Sequence, residues 1–358
     1  MLTYQVLGFM QRLIAILFVL VFISLSAHCC FSNDVAQMQT HAHAHQGQDK
    51  KKTRWLPVIV GLLGVSVATY GSLLIVNYFC NEKLLKNYYE KRFFETKKIS
   101  PSGRNIFYEE SAVDSKIELN QKVSQFIHQQ MLSGLMIEHV RYESSQPAKR
   151  PEYVVLYCGG TREDQGDIHP ALSQIAEKTG VPIETFNYPG YGNSGGKPGF
   201  SINQTIANAF VSQFSDKKII LIGHSYGASV AIELAKQFPQ VEHLFVMGAY
   251  SSAYQQGWDY AKWYEKPLIP FAVNKQKNNS VLCLETMALR DNGRKLKVMS
   301  FHGQADETVN YKHQKVLQNN ANENTEFSAL GSYLADHHSI FDYSVPYISA
   351  KLNKIVNH

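Results

Sequence analysis

Cysteine is scarce in this 358-residue chain: five residues, an odd count, with no CxxC pair and no Cys/His spacing of a metal site. Cys29, Cys30, Cys80, Cys158 and Cys283 therefore argue against a disulfide framework and suit a reducing compartment or thiols that never pair. Cys80, at the end of an apolar run, reads as a small apolar residue at a helix end. Charge is sparse as well, 18% of residues with a formal net charge of +5. Away from the basic flanks of an N-terminal apolar run, no basic helix with interleaved aromatics occurs, so no nucleic-acid partner is expected. No metal-ligand set and no cofactor motif stands out, and neither is expected to be needed.

Long apolar runs, by contrast, are present near the N-terminus. Trp55 to Phe79 holds about 25 uncharged residues, enough to cross a bilayer with some tilt. Trp55 and Tyr78 stand at its ends, where interfacial rings belong, and Gly61, Gly64, Gly71 and Ser72 permit close helix packing. The earlier run, Leu13 to Ala27, is about 15 residues and fits either a signal-peptide core or a short first span. Between them lies a polar loop over 31–54 with His41, His43 and His45, read as solvated low complexity. Lys50, Lys51, Lys52 and Arg54 precede the long run; Lys83, Lys86, Lys91 and Arg92 follow it. Such flanks suit anionic headgroups, and the second cluster favours a cytosolic C-terminal domain while the first pulls the other way. The expectation is a membrane anchor over 1–80 and an amphipathic helical linker over 81–134.

From 135 to 358 the rhythm becomes strand–helix alternation. Tyr153–Tyr157, Ile183–Phe186, Lys218–Ile222, Leu244–Met247 and Lys297–Phe301 are short unbroken apolar runs, as strands buried on both faces require. Glu326–Leu330 reads as a further strand. Pro170–Lys178, Ile202–Phe214, Ala228–Phe238, Tyr311–Asn319 and Ser339–Val356 read as helices. The fold class is α/β: a mostly parallel central sheet with helices on both faces. The segment 250–294 separates two strands and could form a small cap, with Trp258, Tyr260, Trp263, Tyr264, Phe271 and Met287 available for an apolar pocket.

Gly223-His224-Ser225-Tyr226-Gly227 is a G-x-S-x-G pentapeptide between KIILI and a helical run, the strand–turn–helix setting of a nucleophile elbow. Ser225 is the candidate nucleophile. A serine hydroxyl needs a base oriented by a carboxylate. Asp306, in the loop after Lys297–Phe301, is the candidate acid. Asp336-His337-His338 supplies two neighbouring candidates for the base, of which His337 is preferred. The backbone N–H of Tyr226 is one oxyanion donor. Gly160, in Cys158-Gly159-Gly160-Thr161, is chosen for the second, with Thr161 close behind. Gly190 to Gly195 matches G-x-G-x-x-G, but the following Gly196-Lys197-Pro198-Gly199 blocks the helix that a dinucleotide site needs.

YCGG, NYPGYGNSGGKP, GHSYG, HGQADETV and ADHHSIF fall in an order that resembles the α/β-hydrolase superfamily. NYPGYGNSGGKP is similar to a loop of its membrane-associated members, which include protein depalmitoylases and lipid hydrolases. The resemblance runs from about residue 135 to the C-terminus. It implies the α/β-hydrolase fold, a Ser225–His337–Asp306 triad and oxyanion donors at Tyr226 and the Gly160 region. Cys158 departs from the pattern, standing where many relatives have the histidine of an H-G pair. The expected activity is cleavage of acyl esters or thioesters on membrane lipid or S-acylated protein, beside a bilayer. The rival expectation is a non-catalytic membrane adaptor on the same scaffold.

Overall fold

The computed structural model describes residues 82–94, 115–118, 122–166, 169–263, 265–266, 269–332 and 334–357. The chain divides into two compact units, Met1–Lys83 and Leu84–His358. Of the first, only Glu82 and Lys83 are described, as the start of a helix. Both N-terminal apolar runs and the loop between them lie outside the described residues. Among the described residues, no helix is long and apolar enough to cross a membrane.

Among the described residues, nine strands form one sheet: β1 (Ser115–Glu118), β2 (Val123–Leu132), β3 (Leu135–Ser144), β4 (Tyr153–Cys158), β5 (Ile183–Phe186), β6 (Lys218–His224), β7 (Val241–Met247), β8 (Leu296–Gly303) and β9 (Thr325–Ser332). Their spatial order is β1-β2-β3-β5-β4-β6-β7-β8-β9. From β5 to β9 every pairing is parallel, while β1, β2, β3 and β5 pair antiparallel. The central parallel strands β4 and β6 are near-continuous apolar runs, whereas the edge strand β9 is not. β4 and β5 are buried at every residue, and β6 at all but Lys218, because helices cover both faces.

The helices are α1 (Glu82–Phe93), α2 (Pro170–Thr179), α3 (Phe200–Ser212), α4 (Tyr226–Gln237), α5 (Ala253–Tyr260), α6 (Ile269–Ala272), α7 (Ser280–Glu285), α8 (Lys312–Asn319) and α9 (Ser339–Asn357). α2 and α9 pack a shared core against the sheet through Leu172, Ile175, Ile340, Ile348 and Leu352, all fully buried. The chain leaves β4 toward β5 on one side and later enters β6 on the other. That reversal opens a crevice at the carboxyl ends of β4 and β6, where ligands collect in such sheets.

Within the linker expected over 81–134, Glu82–Phe93 is a helix, whereas Ser115–Glu118 and Val123–Leu132 are strands. The sheet thus begins well before residue 135. In β2, Val123, Gln125 and Ile127 turn inward and alternate with less buried neighbours, a period of two rather than 3.6. Gln125 occupies a core position by donating its amide to Tyr142 Oη at 3.1 Å, so a polar residue hides the alternation. β3, similarly, buries Glu138 and His139 between Ile137 and Val140, so polar residues interrupt its apolar pattern.

Candidate active site

Ser225 ends β6 and opens α4. Its backbone sits at φ 54°, ψ −121°, a strained conformation for a residue with a Cβ. The flanking glycines make the turn feasible: a Cβ on Gly227 would stand 2.0 Å from Cys158 O, and one on Gly223 would stand 2.6 Å from Gly227 O. The first turn of α4 leaves N–H groups without intrahelical partners beside the serine, and the helix dipole points its positive end there.

Three side chains converge from three loops. The Ser225 hydroxyl donates to His337 Nε2 at 2.8 Å, and His337 Nδ1–H donates to Asp306 Oδ2 at 2.7 Å. The Asp306 side chain is fully buried; its Oδ1 accepts the backbone N–H groups of Thr308 at 2.9 Å and Val309 at 2.7 Å. His302, fully buried, donates from Nε2 to Val309 O at 2.7 Å and braces the same loop. His338 is exposed, its ring 5.6 Å from that of His337, and does not reach the serine. The adjacent histidines are told apart by the turn before α9. There Asp336 caps the N–H groups of His338 and Ser339 and leaves His337 facing inward.

Gly160 stands beside Ser225: a Cβ there would lie 3.3 Å from Ser225 Cβ and 2.7 Å from Glu163 Oε1. The Gly160 N–H also engages the Glu163 carboxylate. Glu163 escaped the sequence reading, since nothing in its spacing marks it. Its Oε1 lies 2.6 Å from His224 Nδ1, and its Oε2 accepts the Tyr157 hydroxyl at 2.8 Å. Burial raises the carboxyl, but His224, His169 and the Gly160 N–H together hold Glu163 down at about 2. Cys158 is buried at the end of β4, where burial pushes its thiol up to about 12, so it is no thiolate nucleophile.

The glycine-rich loop Gly190–Gly195 is a brace. Ser194 Oγ donates to Asn187 O at 2.9 Å, and Asn193 N–H donates to Glu138 Oε2 at 2.7 Å. The buried Asn187 accepts the Gln165 N–H at 2.8 Å and donates to Asp164 Oδ1 at 2.8 Å, holding the loop that carries Gly160 and Glu163. No helix opens at these glycines; α3 starts at Phe200.

A cavity of about 460 Å³ opens onto Ser225. One wall is α1, through Tyr89, Arg92 and Phe93; another is the cap segment, through Tyr250, Gln256 and Tyr260. The two walls are joined: Arg92 pairs with Glu265, and the Tyr89 hydroxyl donates to Glu265 O at 3.3 Å. Phe93 and Phe94 pack edge-on against Tyr226, at 5.8 and 5.0 Å between ring centres. Of the aromatic residues expected to line an acyl pocket, Tyr260 does. Trp258 and Trp263 are exposed surface residues outside the lining, and Met287 is buried elsewhere. The Tyr264 and Phe271 side chains lie outside the described residues. Among the described residues, no group of three His, Cys, Asp or Glu could hold a metal ion.

The family of the alpha/beta hydrolase fold matches residues 157–280, from the end of β4 to the first residue of α7. That span includes Ser225 and stops short of Asp306 and His337. No curated protein matches the chain. Among solved structures, an acetyl xylan esterase from Paenibacillus sp. R4 is 11% identical, covering 76% of this chain and 93% of its own, with a TM-score of 0.50. Acetyl xylan esterase 1 from Thermoanaerobacterium sp. JW/SL YS485 is 14% identical over 68% of this chain and 87% of its own, TM-score 0.49. Alpha/beta hydrolase domain-containing protein 10 from mouse is 13% identical over 68% of this chain and 100% of its own, TM-score 0.48.

Proposed function

We propose that this chain, an α/β-hydrolase by fold, is a serine hydrolase that cleaves acyl esters or thioesters through Ser225, His337 and Asp306. The observation that carries the reading is the pair of short contacts, 2.8 Å from Ser225 Oγ to His337 Nε2 and 2.7 Å from His337 Nδ1 to Asp306 Oδ2, on a serine with φ 54°.

His337 Nε2 takes the hydroxyl proton as Ser225 Oγ attacks the acyl carbonyl, and Asp306 stabilises the imidazolium that results. The carbonyl oxygen becomes an oxyanion, and the N–H of Tyr226 and an N–H of the Gly160–Thr161 turn are its donors. As the tetrahedral species collapses, His337 returns the proton to the departing alkoxide or thiolate. Water enters, gives its proton to His337, and releases the acid while Ser225 is regenerated.

The aromatic walls of the cavity suit an acyl chain, and its volume suits a ligand of moderate size. An apolar run at Trp55–Phe79, directly before α1 in sequence, would hold the site beside a bilayer and raise its access to lipid esters and S-acylated proteins. No cofactor takes part in these steps. The test is a matched series of p-nitrophenyl esters and acyl thioesters of increasing chain length, with the parent and Ser225→Ala. Turnover by the parent, abolished in Ser225→Ala, is expected. Equal turnover by the two would refute the assignment.

A further inference from the structure

His224 directly precedes Ser225 and is buried, 5 % exposed, with both ring nitrogens engaged. Nδ1 lies 2.6 Å from Glu163 Oε1, and Nε2 lies 2.9 Å from the main-chain oxygen of His337. A carbonyl oxygen can only accept, so Nε2 carries a proton. Glu163 is surrounded by donors: Tyr157 Oη at 2.8 Å, Gln165 Nε2 at 3.4 Å and the Gly160 N–H. One proton must lie between Nδ1 and Oε1, since two facing lone pairs would repel, and these donors together with His224 hold the Glu163 carboxyl down at about 2 against its burial. Nδ1 therefore carries the second proton, and His224 is an imidazolium paired with an ionised Glu163.

The pair joins three loops. Glu163 belongs to the turn after β4 that also bears Gly160, His224 to the elbow, and the accepted carbonyl to the residue whose ring faces Ser225. We propose that the Glu163–His224 ion pair positions the general base: the His224 cation grips the His337 carbonyl and so fixes the His337 ring on Ser225 Oγ. The proposal rests on the hydrolase reading above and adds two positioning residues to it.

The charge state has a consequence in pH. Facing His224 are the Glu163 carboxylate, Asp306 and His337 from the acid and base loops, and His169 from the start of α2; Tyr157 reaches it through Glu163. Burial disfavours the cation, but Glu163, the carbonyl of His337 and Asp306 together raise His224 above its ordinary value. A raised histidine holds its proton below that value and loses it as pH climbs through the shifted one. Loss of the Nδ1 proton would turn a bare lone pair toward a carboxylate and break the grip. The parent therefore has an alkaline limb in kcat, set above about 6.5, that belongs to His224.

The experiment combines ring-nitrogen NMR of the histidines with the kcat–pH profile, on the parent and Glu163→Gln. For the parent at pH 7, both His224 nitrogens should be protonated, and kcat should fall on the alkaline side in step with the loss of one of them. In Glu163→Gln, His224 should be neutral, kcat at pH 7 should drop about tenfold to a hundredfold with KM within about threefold, and that limb should vanish. A purely structural loss would lower kcat without removing the limb. A singly protonated His224 in the parent overturns the proposal, as does a Glu163→Gln variant with parental kcat and profile. The parent measurements need no variant to fold. A parent that turns over no ester or thioester fails the hydrolase reading instead, and leaves no base for the pair to position.

Discussion

Replacing Asp306 by asparagine changes one atom and should remove nearly all activity. Asp306 Oδ1 accepts two backbone N–H groups, from Thr308 and Val309, and Oδ2 accepts His337 Nδ1–H. An asparagine has one oxygen and one NH2 group for these two places. With its oxygen toward His337, the NH2 would confront two buried N–H donors, each losing its acceptor at about 1–3 kcal/mol. With its oxygen toward the backbone, only the contact to His337 changes. The second orientation therefore wins. The NH2 then donates to His337 Nδ1, which forces the proton onto Nε2, and Nε2 can no longer accept from Ser225. A wrong tautomer of this kind costs about 10⁴ in kcat, roughly 5.5 kcal/mol of barrier. Ester turnover measured on a variant whose circular dichroism matches the parent checks this. A loss below about tenfold would refute the tautomer argument.

Further outcomes follow from the same geometry. Gly227→Ala should yield no folded active protein, because the new Cβ would stand 2.0 Å from Cys158 O; soluble yield and melting would show it. Phe94→Ala removes a ring that is 2% exposed and packed on Phe200 and Tyr226, and should cost about 3 kcal/mol, read as a lower melting temperature and denaturation midpoint. His243 and His313 are buried, and burial holds each down at about 4. Their folded values lie below the unfolded one, so stability is intact above about 6.5 and is lost as pH falls toward 4; melting at pH 7.5 and 5 should differ by several degrees, and less in His313→Gln.

Much of this was legible in the sequence because the physics there is local. KIILI followed by GHSYG reads as strand, elbow and helix, since a strand buried on both faces is apolar throughout and the turn admits only glycine at its close contacts. Asp306 was legible as a carboxylate in the loop at a strand's carboxyl end. His337 and His338 could not be separated in one dimension; the cap that Asp336 places on the turn before α9 decides between them. β2 and β3 were hidden because Gln125, Glu138 and His139 sit inside, satisfied by partners distant in sequence such as Tyr142, Asn193 and Glu184. Glu163 was invisible for the same reason: its role comes from His224, 61 positions away. The signal that could have found it is a histidine in a buried elbow, which requires a partner for each ring nitrogen.

The central claim is that Ser225 is an activated nucleophile. The most direct measurement is labelling of the purified protein by a fluorophosphonate, read by intact mass and beside Ser225→Ala and His337→Ala. The account predicts a single adduct on the parent, located to Ser225, none on Ser225→Ala and a severe loss of rate for His337→Ala. A folded parent that takes no label, or an adduct that persists in Ser225→Ala, would contradict it.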